Sequence, residues 1–135
     1  MALKAEIKVE GNNYKVLECE YEFSQAIDIT GLPSDRPRGG QINVVIVSPP
    51  GADLSLYEWM CEKENMKDGH VLFEINDEAK FSTRKIEFKN AHCIRLYEYF
   101  NSNNALPMYM KLGILAESLI ISDGTGDGYE FKMID

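Results

Sequence analysis

Between Tyr14 and Phe23 the chain alternates with a period of two, and this constrains its fold more than any other feature. Leu17, Cys19, Tyr21 and Phe23 fall on one side, and Glu18, Glu20 and Glu22 on the other. Such a segment is a half-buried antiparallel strand with one wet face. The strand is expected from Tyr14 to about Ile27, with a parity change near Val16 and Leu17 that predicts a bulge. The loop ITGLPSDRPRGG follows, and a second strand begins at Gln41. The loop is too long for a hairpin turn. Pro33 and Pro37 fix φ, Gly31, Gly39 and Gly40 admit positive φ, and Arg36 and Arg38 stand beside Asp35. A long loop of this kind on a compact β-domain is usually there to touch something.

The rest of the chain is also strand-rich. Leu3, Ala5, Ile7 and Val9 alternate with polar residues, and Gly11-Asn12-Asn13 turns the chain. Gln41 to Ser48 is apolar almost throughout, as in a strand covered on both faces. Further strands are expected at Val71–Asn76, Arg84–Lys89, Ala91–Phe100 and Met108–Ile121, with a short one at Tyr129–Met133. One helix is expected from about Leu54 to Asn65. Asp53 or Ser55 can cap it, and Ser55 with Glu58 has capping-box spacing. Leu56, Trp59, Met60 and Lys63 share one stripe, and Leu54, Tyr57 and Cys61 an adjacent one.

With 135 residues the chain fits a single domain, 1–135, able to bury a core. Its net charge of −8 and scattered Lys and Arg exclude a basic nucleic-acid footprint and argue against an anionic membrane surface. No apolar run is long enough for a membrane-spanning helix, so no membrane insertion is expected. The N-terminus MALKAEIKVEG lacks the apolar core of a signal peptide. Synthesis in the cytoplasm is expected, with any export by a route that reads no such signal.

Candidates for chemistry are few. Cys19, Cys61 and Cys93 lie far apart and are odd in number, so they read as small buried apolar residues. His70 and His92 have no nucleophile–base set around them. His92 adjoins Cys93, but strand neighbours face opposite ways. Asp123, Thr125, Asp127 and Gly128 match the first half of a calcium loop, yet Ile134 stands where the bidentate acid belongs. A tight turn explains the same residues. The SDRPRGG loop could cradle an anion, but it lacks the phosphate-loop order and a following helix. A protein–protein contact suits its arginines better, and a plain solvated loop stays open. The expectation is no enzyme, no cofactor and no metal.

The segment KVLECEYEFSQAIDITGLPSDRPRGGQINV resembles the tube proteins of type VI secretion systems, the haemolysin-coregulated protein (TssD) family, in its Bacteroidetes branch. Those chains carry a V-L-x-x-x-Y-x-F strand, matched by Val16, Leu17, Tyr21 and Phe23. A D-x-x-G-x-P-S loop follows, matched by Asp28, Gly31, Pro33 and Ser34. A G-G-x-I strand start is matched by Gly39, Gly40 and Ile42. Their L-x-x-W-M helix segment is similar to Leu56, Trp59 and Met60. The order of VLFEI, STRKIEFKNAHCIRLYEYF and MYMKLGILAESLII is also similar, so the likeness spans nearly the whole chain. The departure is the ending, where this chain adds a Gly/Asp turn and YEFKMID.

The resemblance implies an all-β, tail-tube-like barrel of antiparallel strands with one flanking helix. It further implies hexameric rings that stack into a hollow tube inside a sheath, beneath a spike protein, and carry effectors to target cells. In such a stack, Asp28, Thr30, Gly31, Pro33, Ser34, Asp35, Arg36, Arg38, Gly39 and Gly40 are expected to reach the next ring. Leu56, Trp59 and Met60 are expected to anchor the helix. Tyr97, Tyr99, Phe100, Met108, Tyr109 and Met110 cluster about one turn, and those that face outward would suit an interface. The alternative is a monomeric lipocalin-like ligand-binding barrel.

Overall fold

The computed structural model describes residues 2–24, 29–32, 40–62, 64–77, 80–123 and 128–132. Eight strands and a helix follow one another: β1 (Ala2–Val9), β2 (Asn12–Tyr21), β3 (Gln41–Val47), α1 (Ser55–Cys61), β4 (Lys67–Asp77), β5 (Lys80–Phe100), β6 (Met108–Leu115), β7 (Ser118–Ser122) and β8 (Gly128–Lys132). β4, β1, β2, β3, β6 and β5 are neighbours in that order, and β4 also pairs with β5. These six antiparallel strands therefore close into a barrel. β7 and β8 extend from β5 as an added hairpin.

Two strands change partners along their length, and this gives the barrel two unlike halves. In β2, Asn12–Lys15 pair with β1, while Val16–Tyr21 pair with β3. In β5, the part up to Ala91 pairs with β4, and from His92 onward the pairing is with β6. Each switch is marked by backbone irregularity. The register of β2 shifts between Val16 and Glu18, and that of β5 between Cys93 and Arg95. Asn90 bends β5 in the left-handed region at φ 51, which Asn tolerates better than most residues. Its N–H donates to Asp68 Oδ1 at 2.8 Å, and its Nδ2 to Glu117 Oε2 at 3.1 Å.

Alternation fills the interior. Ile7 and Val9, Ile42, Val44 and Ile46, Ile86 and Phe88, and Met110, Leu112 and Ile114 all point inward and are buried. Gly69 permits the tightest approach: a Cβ there would lie 2.2 Å from the Lys8 carbonyl oxygen and 2.6 Å from the Phe88 ring.

α1 lies along β5. Trp59 is 1% exposed, stacks on Phe88 with ring centroids 6.2 Å apart, and donates from Nε1 to the Ala91 carbonyl at 3.0 Å. Leu56 is buried beside it, Met60 packs against the core, and the Tyr57 hydroxyl donates to Glu98 Oε1. The helix start is tied to β2. Asp53 Oδ1 accepts from the Ser55 amide and hydroxyl, and the Tyr14 hydroxyl donates to Asp53 Oδ2 at 2.9 Å.

Several expectations need correction. Arg84–Lys89 and Ala91–Phe100 are parts of one strand, because Asn90 bends the chain without ending its pairing. Met108–Ile121 is two strands, broken at Ala116 and Glu117, whose amides bond to Gly40 and Lys89 carbonyls. β2 stops at Tyr21; residues 25–28 lie outside the described set. The turn before it falls on Glu10 and Gly11. α1 ends at Cys61, and Lys63 lies outside the described residues. Leu54 and Cys61 are exposed, so the apolar face is narrower than expected. The N-cap position is Leu54, whose carbonyl accepts from the Glu58 amide and which makes no side-chain cap bond; Asp53, one residue earlier, accepts from the Ser55 amide instead. Val45 and Val47 are half-buried, so β3 is fully covered on one face only.

Candidate functional site

The four-stranded sheet β2–β3–β6–β5 carries the candidate site on its outward face and its two edges. Its rows follow from the pairing registers. One outward row is Glu20, Asn43, Gly113, Arg95, and the next is Glu18, Val45, Lys111, Tyr97. Tyr109 and Tyr99 lie opposite each other one step further, with rings 5.2 Å apart. The acids therefore sit on β2, at one margin, and the bases on β6 and β5, toward the other.

Between them runs a polar groove of about 530 Å³, lined by Glu18, Glu20, Gln41, Asn43, Arg95 and Lys111 among others. Gly113 forms its floor, since a Cβ there would stand 3.1 Å from the Cβ of Arg95 and 3.5 Å from Asn43 Oδ1. Gln41 Nε2 donates to Asn43 Oδ1 at 3.2 Å, and Asn43 Nδ2 donates to Glu20 Oε1 at 3.4 Å. The Lys111 ammonium lies 5.7 Å from the Tyr97 ring centroid and 5.9 Å from that of Tyr109, within cation–π range.

The margins of this sheet are open. Among the described residues no strand pairs with β2 beyond Lys15 on the side of β1, and none with β5 beyond Ala91 on the side of β4. Both margins expose large apolar side chains. Leu17, at the β2 bulge, is 40% exposed, and Ile94, at the β5 bulge, is 44% exposed. Tyr97 and Phe100 on β5 are 42% and 63% exposed. Phe23, just past β2, is exposed too and rests on Phe131 of β8 at 4.9 Å.

The predicted loop is only partly described. Thr30 and Gly31 are exposed, with Gly31 at φ 86. Gly40 is buried at φ 96, and its carbonyl accepts from Ala116 at 2.7 Å. That bond fixes one root of the loop at the corner between β6 and β7. Asp28, Pro33, Ser34, Asp35, Arg36, Pro37, Arg38 and Gly39 lie outside the described residues.

Among the described residues the remaining candidates do not form a chemical site. Cys93 is buried and Cys19 half-buried, and burial pushes both thiols up to about 11. Cys61, the last residue of α1, is exposed, against the expectation of a buried residue. His70 and His92 are half-buried on separate strands. Burial, aided by Lys85, holds the His70 imidazole below its usual value. Among the described residues no cluster of His, Cys, Asp or Glu could hold a metal ion. Thr125 and Asp127 of the calcium-like segment lie outside that set.

Sequence reading named the aromatic cluster of β5 and β6 without saying which members face outward, placed the acidic face of β2, and missed Asn43, Arg95 and Lys111. The signal was available: each is a polar residue interrupting an apolar strand. In a barrel wall such an interruption marks the outward face.

The family described as "Hemolysin coregulated protein Hcp (TssD)" matches residues 1–128. The solved structure of Hcp1 from Flavobacterium johnsoniae superposes with a TM-score of 0.77 at 28% identity, covering 96% of this chain and 98% of that one. The secreted protein Hcp3 from Pseudomonas aeruginosa gives 0.69 at 8% identity, over 99% and 100% of the two chains. A type VI secretion system effector from Yersinia pestis gives 0.69 at 10% identity, over 95% and 98%. The last two likenesses speak for the fold alone. No curated protein matches the sequence.

Proposed function

The chain belongs to the Hcp (TssD) family of type VI secretion tube proteins, and from that membership we propose that it assembles as hexameric rings that stack into a hollow, effector-carrying tube. The family is structural and not one of enzymes, and this chain's work is then assembly and carriage without catalysis. One observation carries the ring: a single four-stranded sheet ends in two unpaired margins, each exposing apolar side chains. A monomer gains nothing from such margins, and open edges invite unwanted pairing. A ring covers every margin with a different margin of its neighbour, which is a heterologous, closing contact. The ring-stacking role belongs to the loop Asp28–Gly40. Arg36, Arg38 and Asp35 set register there by orientation more than by raw affinity, and the prolines lower the entropy cost of docking.

The monomeric ligand carrier is the weaker reading. Its barrel would have to be hollow, whereas Ile7, Ile42, Ile46, Phe88, Met110 and Ile114 fill this interior at 0% exposure.

Electron microscopy of the purified chain tests the proposal. Rings of six with a central hole are expected, and stacked rings at high concentration. Reversing both loop arginines (Arg36→Glu, Arg38→Glu) leaves single rings and weakens stacking and secretion. Isolated monomers from the parent chain would refute the ring. Normal tubes from the reversed variant would remove the loop from stacking.

A further inference from the structure

We propose that Arg95 of one copy and the acidic pair Glu18 and Glu20 of the next form a charge latch that fixes the direction and register of the ring. The inference rests on the ring reading above and adds its specificity. Arg95 and Glu20 terminate the same outward row, Arg95 on β5 and Glu20 on β2. Within one copy they stand three strand spacings apart, about 14 Å, too far to pair. Arg95 is exposed and makes no ion pair among the described residues. Among the described residues Glu20 meets only the amide of Asn43.

Strand direction alternates across β2, β3, β6 and β5. A second copy can therefore set its β2 beside β5 and run antiparallel to it, with its outward face on the same side. Continuing the row straight on brings Glu20 of that copy opposite Arg95. A two-residue step brings Glu18, and the diagonal neighbour is within reach of a long side chain. A guanidinium grips a carboxylate through two parallel hydrogen bonds, which fixes orientation as well as attraction.

Lys111 is less suited to this role. It lies one strand further in, over the rings of Tyr97 and Tyr109. The need for a latch follows from the charge of the whole chain. Copies that each carry −8 repel one another, and a junction of matched opposite charges offsets that repulsion where the copies meet.

A charge swap tests this on the full chain, with ring and monomer populations read by native mass spectrometry and each variant's melting temperature recorded. Arg95→Glu alone, and Glu18→Lys with Glu20→Lys, should each raise the subunit concentration for half-assembly by at least about tenfold. Arg95→Gln should raise it severalfold. The triple variant should return to within about threefold of the parent. Unchanged assembly of Arg95→Glu overturns the latch and leaves the ring reading intact. So does a triple variant that melts like the parent but stays dissociated. A parent chain that is monomeric at every concentration overturns the ring reading, and the latch with it.

Discussion

The two ends of β5 make opposite demands on their surroundings. Up to Ala91 the strand is flanked by β4 and β7, capped by Trp59 and bent at Asn90 through bonds to Asp68 and Glu117. Beyond His92 it keeps β6 on one side, has no strand on the other among the described residues, and exposes Ile94, Tyr97 and Phe100. The first half is complete within one chain, while the second, in the proposed ring, is completed by a neighbouring copy. Substitutions in the first half should therefore lower subunit stability, and those in the second should lower assembly.

The largest effect falls at the closed end. Trp59→Ala should cost about 3–5 kcal/mol in chemical denaturation, since it removes a buried indole and its stacking on Phe88. Trp59→Phe should cost less but leave the Ala91 carbonyl without its donor, about 1–3 kcal/mol. A loss under about 1 kcal/mol for Trp59→Ala would mean that α1 does not hold the barrel. Next comes Gly69→Ala, which drives a methyl into the Lys8 carbonyl and the Phe88 ring. Overpacking of this kind should cost about 1–3 kcal/mol, and a neutral result in a melt would show that β1 and β4 can part.

Smaller effects mark the helix start. Asp53→Ala should cost about 1 kcal/mol through the lost bonds to Ser55 and Tyr14 at the helix start. The Ser55 hydroxyl and amide hold the Asp53 carboxyl below its usual value of 3.8. Its contribution is therefore fully present above that value and lost as pH falls through the lower folded value. A stability–pH profile of Asp53→Ala should converge on the parent's in that acid range, and parallel profiles would contradict the assignment.

At the open end, Ile94→Asn should change subunit stability by no more than about 0.5 kcal/mol yet shift the ring–monomer balance toward monomer by size-exclusion chromatography with light scattering. A fall in stability with intact rings would reverse the roles of the two halves. The smallest effect is chemical. At pH 8 an alkylating reagent should label Cys61 first, because burial keeps Cys19 and Cys93 thiols near 11. Equal labelling of all three would mean that the barrel opens.

Much of this was legible in the sequence. The strand at Leu3–Val9 and the starts of those expected at Tyr14 to about Ile27 and at Met108–Ile121 were found, and the parity change near Val16 and Leu17 marked the bulge. The continuity of β5 was not legible. Lys89-Asn90 reads as a turn, and contacts with distant residues keep the strand in the sheet: Lys67 pairs with Ala91, Lys89 pairs with Ser118, and Asn90 bonds to Asp68 and Glu117. The split of Met108–Ile121 was hidden for a similar reason, since Ala116 and Glu117 are unremarkable alone and the break is made by Gly40 and Lys89. The open margins were the hardest feature to foresee. An edge is a property of pairing between distant strands, and local alternation looks the same at an edge as at a centre.

Native mass spectrometry of the purified chain over a concentration series tests the central claim most directly. The account predicts one dominant assembly of six times the subunit mass, dissociating to monomer on dilution without loss of fold. A folded monomer at every concentration would contradict it.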